Sequence, residues 1–154
     1  MTSFIRALLL VAFVFGVGTV RAVHAQKADV GKAAASDLSQ VKSSPAYAEL
    51  QLRRTELVSE LESLLLDYNE EYPKIKELRN TISLVDRDIA RISKVKTGES
   101  SKLTLALGKL MLRRIELEAD LWNLQKNYKE EHPEVKRAKK KVEIYESAIT
   151  DILN

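Results

Sequence analysis

Two pairs of adjacent glutamates are the residues of this 154-residue sequence most able to do chemistry. They are Glu70-Glu71 and Glu130-Glu131, and the second pair is followed by His132. General acid–base catalysis needs carboxyl groups that converge on one pocket. Neighbouring residues of a helix point about 100° apart. Each pair is therefore predicted to be a charged bend, with no catalytic, cofactor or metal role, and His132 is not predicted to bind metal.

The composition gives no support to an enzyme. No serine–histidine–aspartate arrangement, glycine-rich phosphate loop or metal-ligand spacing appears in the sequence. Cysteine is absent, which excludes disulfides and thiolate ligands. Five glycines, three prolines and 31% charged residues are typical of long helices. We therefore predict an all-α protein without catalytic activity and without cofactors.

The first 25 residues have the pattern of a secretory signal peptide. A positively charged start is followed by an apolar run over residues 7–20 and by small residues before Gln26. The uncharged run between Arg6 and Arg21 is 14 residues long. A bilayer span needs roughly 20. We expect export to the periplasm or medium, with membrane association only if this segment is retained.

Processing at Gln26 would leave a nearly neutral chain. The 25 basic residues less Arg6 and Arg21 leave 23 against 22 acidic residues, a formal charge of +1. That balance argues against a nucleic-acid partner. The one concentrated basic stretch, residues 136–141, is predicted to be a solvated helix face. Residues 26–45 contain few large apolar groups and are predicted to be a flexible N-terminal segment.

An internal repeat organises the rest of the sequence. The segment LRRTEL at 52–57 recurs as LRRIEL at 112–117, and EEYP at 70–73 recurs as EEHP at 130–133. Both matches have the same offset of 60 residues, without a gap. The pattern predicts one duplicated helical unit. The two copies occupy residues 46–94 and 102–154, joined by a polar linker at 95–101.

Each copy carries a seam of mainly apolar residues spaced alternately by three and four, as in Leu57, Leu61 and Leu64. A mean period of 3.5 indicates coiled-coil packing. Pro73 and Pro133 interrupt the two copies, and proline suits the first turn of a new helix. The pattern predicts tandem αα-hairpins with four helices. Two long proline-kinked antiparallel helices remain an alternative, because the heptad phase continues across each proline.

The seam also provides candidate protein-interaction residues. Arg54 and Arg114 occupy positions where an apolar residue is expected, so each either sets pairing or packs its stem while its head reaches water. Trp122 lies beside the seam and either widens the apolar face or anchors a partner. Tyr68 and Tyr128 precede the two breaks and are the remaining candidates.

The sequence around each proline resembles the periplasmic coiled-coil region of polysaccharide chain-length determinant proteins, also called polysaccharide co-polymerases. That family often carries a leucine-rich helix, a tyrosine, a few polar residues, His-Pro, an aliphatic residue and a second helix. The segment YKEEHPEV at 128–135 looks like this pattern, and YNEEYPKI at 68–75 follows it with Tyr72 in place of histidine.

The family's membrane anchors have no counterpart in the pattern of this sequence. Its members carry transmembrane helices at both ends of the coiled-coil region, and many continue into a tyrosine kinase. This sequence looks like the coiled-coil region alone, duplicated and without those helices. The resemblance implies an accessory protein whose helices pair with such a coiled coil or with themselves.

Two function hypotheses follow. The first is a non-catalytic exported coiled-coil protein that acts by helix-mediated protein association in the cell envelope, in connection with polysaccharide export. Its partner is a second copy or another envelope coiled-coil protein. The alternative is a periplasmic helical chaperone or stress-binding protein, in which Leu65, Leu66 and Trp122 line a client surface.

The export hypothesis predicts the N-terminus of the protein isolated from cells. Signal peptidase cleavage after Ala25 gives a chain that starts at Gln26, because small residues precede that bond. Intact-protein mass spectrometry of the secreted or periplasmic fraction measures this mass. A chain that keeps residues 1–25 in the membrane fraction would instead identify a tethered protein.

Overall fold

The computed structural model describes residues 39–154, and its helices confirm the all-α prediction. The elements are α1 (Pro45–Leu65), α2 (Pro73–Ile92), a 3-10 helix at Thr97–Lys102, α3 (Leu105–Gln125) and α4 (Pro133–Leu153). No β-strand occurs in this range. None of these helices combines the length and apolar character required to cross a bilayer. The predicted signal peptide lies outside the described residues.

The two prolines mark chain reversals. Pro73 and Pro133 are each the first residue of a helix, where the missing N–H group costs no hydrogen bond. The turns before them, residues 66–72 and 126–132, close with the same backbone hydrogen bond. Tyr68 N donates to Leu64 O and Tyr128 N donates to Leu124 O, both at 2.9 Å.

The fold is therefore a pair of αα-hairpins. We call α1–α2 the first hairpin and α3–α4 the second hairpin. The alternative of two long kinked helices is wrong, because each chain reversal brings the two halves of a copy against one another. Leu57 and Leu61 of α1 and Leu78 of α2 are buried together in the core.

Residues 102–104, which directly follow the linker, hold the starts of both hairpins at one end of the molecule. Ala46 N donates to Leu103 O at 3.3 Å, and Thr104 caps α3 by accepting from Leu107 N at 3.2 Å. Leu103 itself is buried. Lys102 Nζ reaches Leu153 O at 3.2 Å, so the end of α4 lies here too. We call this end the base.

Both hairpin turns lie at the end opposite the base. Ala46 packs against Gly108 near the base, and a cleft further along is lined by Glu60 of α1 and Asp120 of α3. The helices α1 and α3 therefore run in the same direction. Each has 21 residues, a length of about 30 Å at 1.5 Å per residue. The turns, which we call the tips, are separated from the base by that length.

The end of the predicted flexible segment is ordered. Residues 39–42 are helical, and Val41 is buried in the core. Ser44 is the N-cap of α1 and accepts from Tyr47 N at 3.3 Å. The sequence prediction was wrong for residues 39–45, because one valine and a capping serine are enough to fix a short turn.

Helix α3 is the centre of the assembly. It packs against α4 in its own hairpin and against α1 and α2 of the first hairpin. Several buried residues lie off the heptad seam and cover this second face. They are Thr81, Leu84 and Asp88 of α2 and Gly108, Met111 and Ile115 of α3. The seam joins the two helices of a hairpin, and this second face joins the hairpins.

Gly108 permits the close approach of α1 and α3. A Cβ atom at this position would lie 3.0 Å from Ala46 Cα and 3.1 Å from Glu49 Cβ. The first of these atoms is backbone and cannot rotate away. Gly98 in the linker is a natural comparison, since a Cβ there meets nothing within 4 Å.

Gly108→Val is expected to lower the free energy of unfolding by about 1–3 kcal/mol, because the added methyl groups overpack the α1–α3 contact. Gly98→Val is the matched control and should change it by less than about 0.5 kcal/mol. Urea unfolding followed by circular dichroism measures both. Equal stability of the two variants would contradict the close packing of α1 on α3.

Candidate functional site

The two seam arginines have different environments in the structure. Arg54 stays half-exposed, with Nε 2.6 Å from Asp86 Oδ1 of the same hairpin. Arg114, its counterpart in the second copy, is only 4% exposed. Its Nε lies 3.3 Å from Glu146 Oε2, without hydrogen-bond geometry. Asp86 and Glu146 are themselves 60 residues apart, so the duplication preserved an arginine–carboxylate pair within each hairpin.

Arg114 has acquired further partners in the other hairpin and along its own helix. Its Nη2 donates to both carboxylate oxygens of Asp88, each at 2.8 Å, and Nη1 donates to Glu118 Oε2 at 2.5 Å. Asp88 is 1% exposed, so the pair is shielded from water. The guanidinium head therefore does not reach solvent. It joins α3 to α2 across the interface between the hairpins.

Two arginines of α2 extend this arrangement. Arg87 donates to Glu118 through both terminal nitrogens, at 3.1 and 2.6 Å. Arg91 reaches Glu146 Oε1 at 2.7 Å and Thr150 Oγ1 at 3.0 Å. We call the three arginines and three carboxylates the ion cluster: Arg87, Asp88, Arg91, Arg114, Glu118 and Glu146. The cluster contains three ion pairs that cross between the hairpins.

The ion cluster lines a cleft of about 390 Å³. Burial raises the pKa of Asp88, and the hydrogen bonds from Arg114 oppose that shift without cancelling it. The hydrogen bond to Glu118 raises the pKa of Arg87. The formal charges of the cluster cancel, so the cleft offers no net charge for an ionic ligand. Its arrangement suits fixing one hairpin against the other.

Sequence reasoning missed most of the cluster. Asp88, Glu118 and Arg87 correspond by the 60-residue offset to Ala148, Val58 and Ser147. These charged residues therefore belong to one copy only, and a search for repeated features passes over them. The sequence did contain a signal for the burial of Asp88, because this residue lies three positions after the apolar Val85 and so on the same helical face.

The tips carry the predicted tyrosines. Tyr68 stacks on Tyr72 with ring centroids 4.2 Å apart, and Tyr128 stacks on His132 at 4.1 Å. Both tyrosines remain nearly half-exposed. His132 Nδ1 also accepts from Glu134 N at 3.2 Å and caps α4. Each tip thus presents an ordered aromatic pair.

Equivalent ion pairs connect the tip to the following helix in both hairpins. Glu70 binds Arg79, and Glu130 binds Lys139, at positions that correspond by the 60-residue offset. Glu71 is paired with Lys76. Among the described residues, no group of three His, Asp or Glu is arranged to hold a metal ion.

Trp122 and Leu66 differ in exposure. Trp122 is half-buried, and Lys126 Nζ lies 3.4 Å from the centroid of its ring, in a cation–π contact. Leu65 packs against the core. Leu66, the next residue, is 85% exposed at the first tip. The first tip therefore presents the larger apolar surface.

Comparison with protein-family models, curated proteins and solved structures gives no match to this chain.

The ion cluster predicts a large difference between the two seam arginines. Arg114→Met should lower the free energy of unfolding by about 3–5 kcal/mol, because it leaves Asp88 buried without its partner. Arg54→Met, the matched control, should cost at most about 1 kcal/mol, since its ion pair is solvated. Urea unfolding of each variant measures the difference.

A double variant separates the pair from the packing of the arginine stem. Asp88→Leu in the Arg114→Met background should recover part of the loss, because no charge from this pair remains buried. Equal costs for Arg114→Met and Arg54→Met would contradict the role assigned to the ion cluster.

Proposed function

We propose that this protein is a non-catalytic scaffold of the cell envelope that binds a helical partner protein through its two tips. The observation that carries the proposal is the placement of both tips at one end of the paired hairpins, each with a stacked aromatic pair that contains an exposed tyrosine. The opposite end is occupied by the linker and the helix termini.

The tips have the composition of a protein-binding surface. Leu66 is 85% exposed, and Tyr68, Tyr72 and Tyr128 present between about a third and a half of their surface. Tyrosines are favoured in interfaces because a ring buries a large apolar area while its hydroxyl bonds to water or a partner. Stacking orders the rings in advance, which lowers the entropy cost of binding.

Charged residues surround this apolar surface. The ion pairs Glu70–Arg79 and Glu130–Lys139 lie beside the aromatic pairs. Asp67 and Glu131 add exposed carboxylates. An apolar centre with a polar rim is the usual anatomy of a protein–protein interface. The excess of acidic residues at the first tip favours a partner with basic residues around its own apolar contact.

The cellular location and the pathway in this proposal rest on two sequence patterns. The signal-peptide pattern of residues 1–25 supports export. The resemblance of residues 68–75 and 128–135 to the coiled coils of polysaccharide chain-length determinants supports an accessory role in polysaccharide export. The proposed partner is accordingly an envelope coiled-coil protein.

A chaperone function is the second candidate, and the exposure of Leu66 favours it. The two functions differ in what they bind. A scaffold binds one defined helical protein, whereas a chaperone binds many unfolded ones. Leu65 packs against the core and Lys126 covers the ring of Trp122, so only Leu66 of the three predicted client residues is fully exposed.

Photo-crosslinking in cells tests the proposal. A benzophenone amino acid at position 66 should give one discrete adduct, since Leu66 lies in the proposed interface. The same amino acid at position 105 is the matched control, because Leu105 is an exposed leucine at the base. Mass spectrometry identifies the adduct, which should be a protein with heptad-patterned helices.

Tip variants give the second arm of the test. Tyr68→Ala together with Tyr128→Ala should remove most of the adduct at position 66 while circular dichroism stays unchanged. A broad ladder of unrelated adducts would favour the chaperone. No adduct beyond those at position 105 would rule out the tips as a binding surface.

A further inference from the structure

Two charged stretches of opposite sign lie on the outer helices. From Glu56 to Glu71 the chain has six acidic residues and no basic one, and from Lys136 to Lys141 it has five basic residues and no acidic one. The first stretch belongs mainly to α1 and the second to α4. Each of these helices packs on α3, so each keeps an outer face towards solvent.

An exposed face of α1 has a row of residues spaced by four, Leu52, Glu56 and Glu60, and its last member also borders the cleft against α2 and α3. Such residues lie next to one another along a helix. Leu52 is 59% exposed, and the two carboxylate side chains are 54% and 50% exposed. The row therefore places an exposed apolar residue towards the base and two exposed acidic residues towards the tip.

The outer face of α4 has the complementary row: Lys136, Lys140 and Ile144. Ile144 is 57% exposed and the Lys140 side chain 72%. Because α4 runs from the tip to the base, its row has two basic residues towards the tip and an apolar residue towards the base. Arg137 and Lys141 flank it and are also exposed.

The present partners of these charges are local. Glu56 pairs with Arg53 at 3.1 Å, and Lys140 pairs with Glu143 at 3.1 Å, each three residues away on the same helix. Glu60 lies 3.7 Å from Lys74. Exposed pairs of this kind contribute little to stability. They can exchange for partners on another chain at small cost.

We propose that the α4 face of one copy of this chain docks antiparallel on the α1 face of a second copy. In this register Lys140 meets Glu56, Lys136 meets Glu60, and Ile144 covers Leu52. This contact goes beyond the function proposed above, because it names a second surface, separate from the tips, and the partner of that surface. The tips remain free for the envelope partner.

The rows fix the direction of docking. A parallel arrangement would place Leu52 against Lys136 and Glu60 against Ile144, which leaves two of the three contacts mismatched. A shift of one helical turn would likewise set an apolar residue against a charge. Charges along helix faces select partner and orientation in this way in coiled coils. Only the antiparallel register satisfies all three positions.

Sedimentation of the protein as isolated from cells tests the contact. The wild type should associate at about 0.05 M NaCl and weaken at least about tenfold at about 1 M, where the screening length falls to roughly 3 Å. Glu56→Lys/Glu60→Lys and Lys136→Glu/Lys140→Glu should each abolish association, because each variant has two outer faces of like charge.

Mixing the two charge-reversed variants should restore association, since each then offers the face that the other needs. The matched control for the lysine variant is Lys94→Glu/Lys96→Glu, the same charge change at two exposed residues in or next to the linker, which should associate like the wild type. Circular dichroism confirms that each variant is folded. A monomeric wild type at the solubility limit in low salt, or a mixture that stays monomeric, would overturn the proposal.

The two proposals fail separately. Loss of the adduct at position 66 with salt-sensitive association intact would remove the tip function and leave the α1–α4 contact. A monomeric protein that still forms the adduct would remove the α1–α4 contact and leave the tip function. Association that survives both charge reversals would place the contact between copies elsewhere and overturn the antiparallel register.

Discussion

The structure depends on one buried ion pair, Arg114 with Asp88. Its two hydrogen bonds cross from α3 to α2, and so join the second hairpin to the first. A buried pair of this kind adds little net stability, since desolvation opposes the attraction, and burial raises the pKa of Asp88 accordingly. Its effect is to penalise every arrangement of the hairpins that leaves either charge unpaired. The heptad seams form each hairpin, and this pair selects how the two hairpins meet.

The secondary structure was largely predictable because its signals are local. The 3.5-residue period and the position of proline in each copy are enough to predict two helical segments with a break between them. The sequence favoured a hairpin over a kinked helix but left both open, because the heptad phase continues through Pro73 and Pro133. That choice depends on burial: the reversal brings two apolar seams together, whereas a kinked helix leaves each to find a partner elsewhere.

The interface between the hairpins was less predictable, and the reason lies in the duplication. Features shared by both copies, such as the residues of the stacked rings at the tips, were visible in the sequence as repeats. A contact that joins the copies is asymmetric, so one of its partners can lack a counterpart in the other copy. Asp88 and Ala148 occupy equivalent positions, yet only the first is a partner of Arg114. The positions at which the two copies differ are therefore the ones that carry information about how the hairpins pack.

The position of the linker at the base determines where a further copy of the helical unit would point. Each copy contains two helices and returns the chain to the end from which it started, and Leu103 and Lys102, directly after the linker, bond to α1 and α4 there. A further copy inserted at this point would begin in the same direction as α1 and α3. The number of aromatic tips would rise by one, while the end of the molecule that presents them would stay the same. Valency and orientation are therefore independent in this architecture, as in other repeat proteins whose units contact only their neighbours.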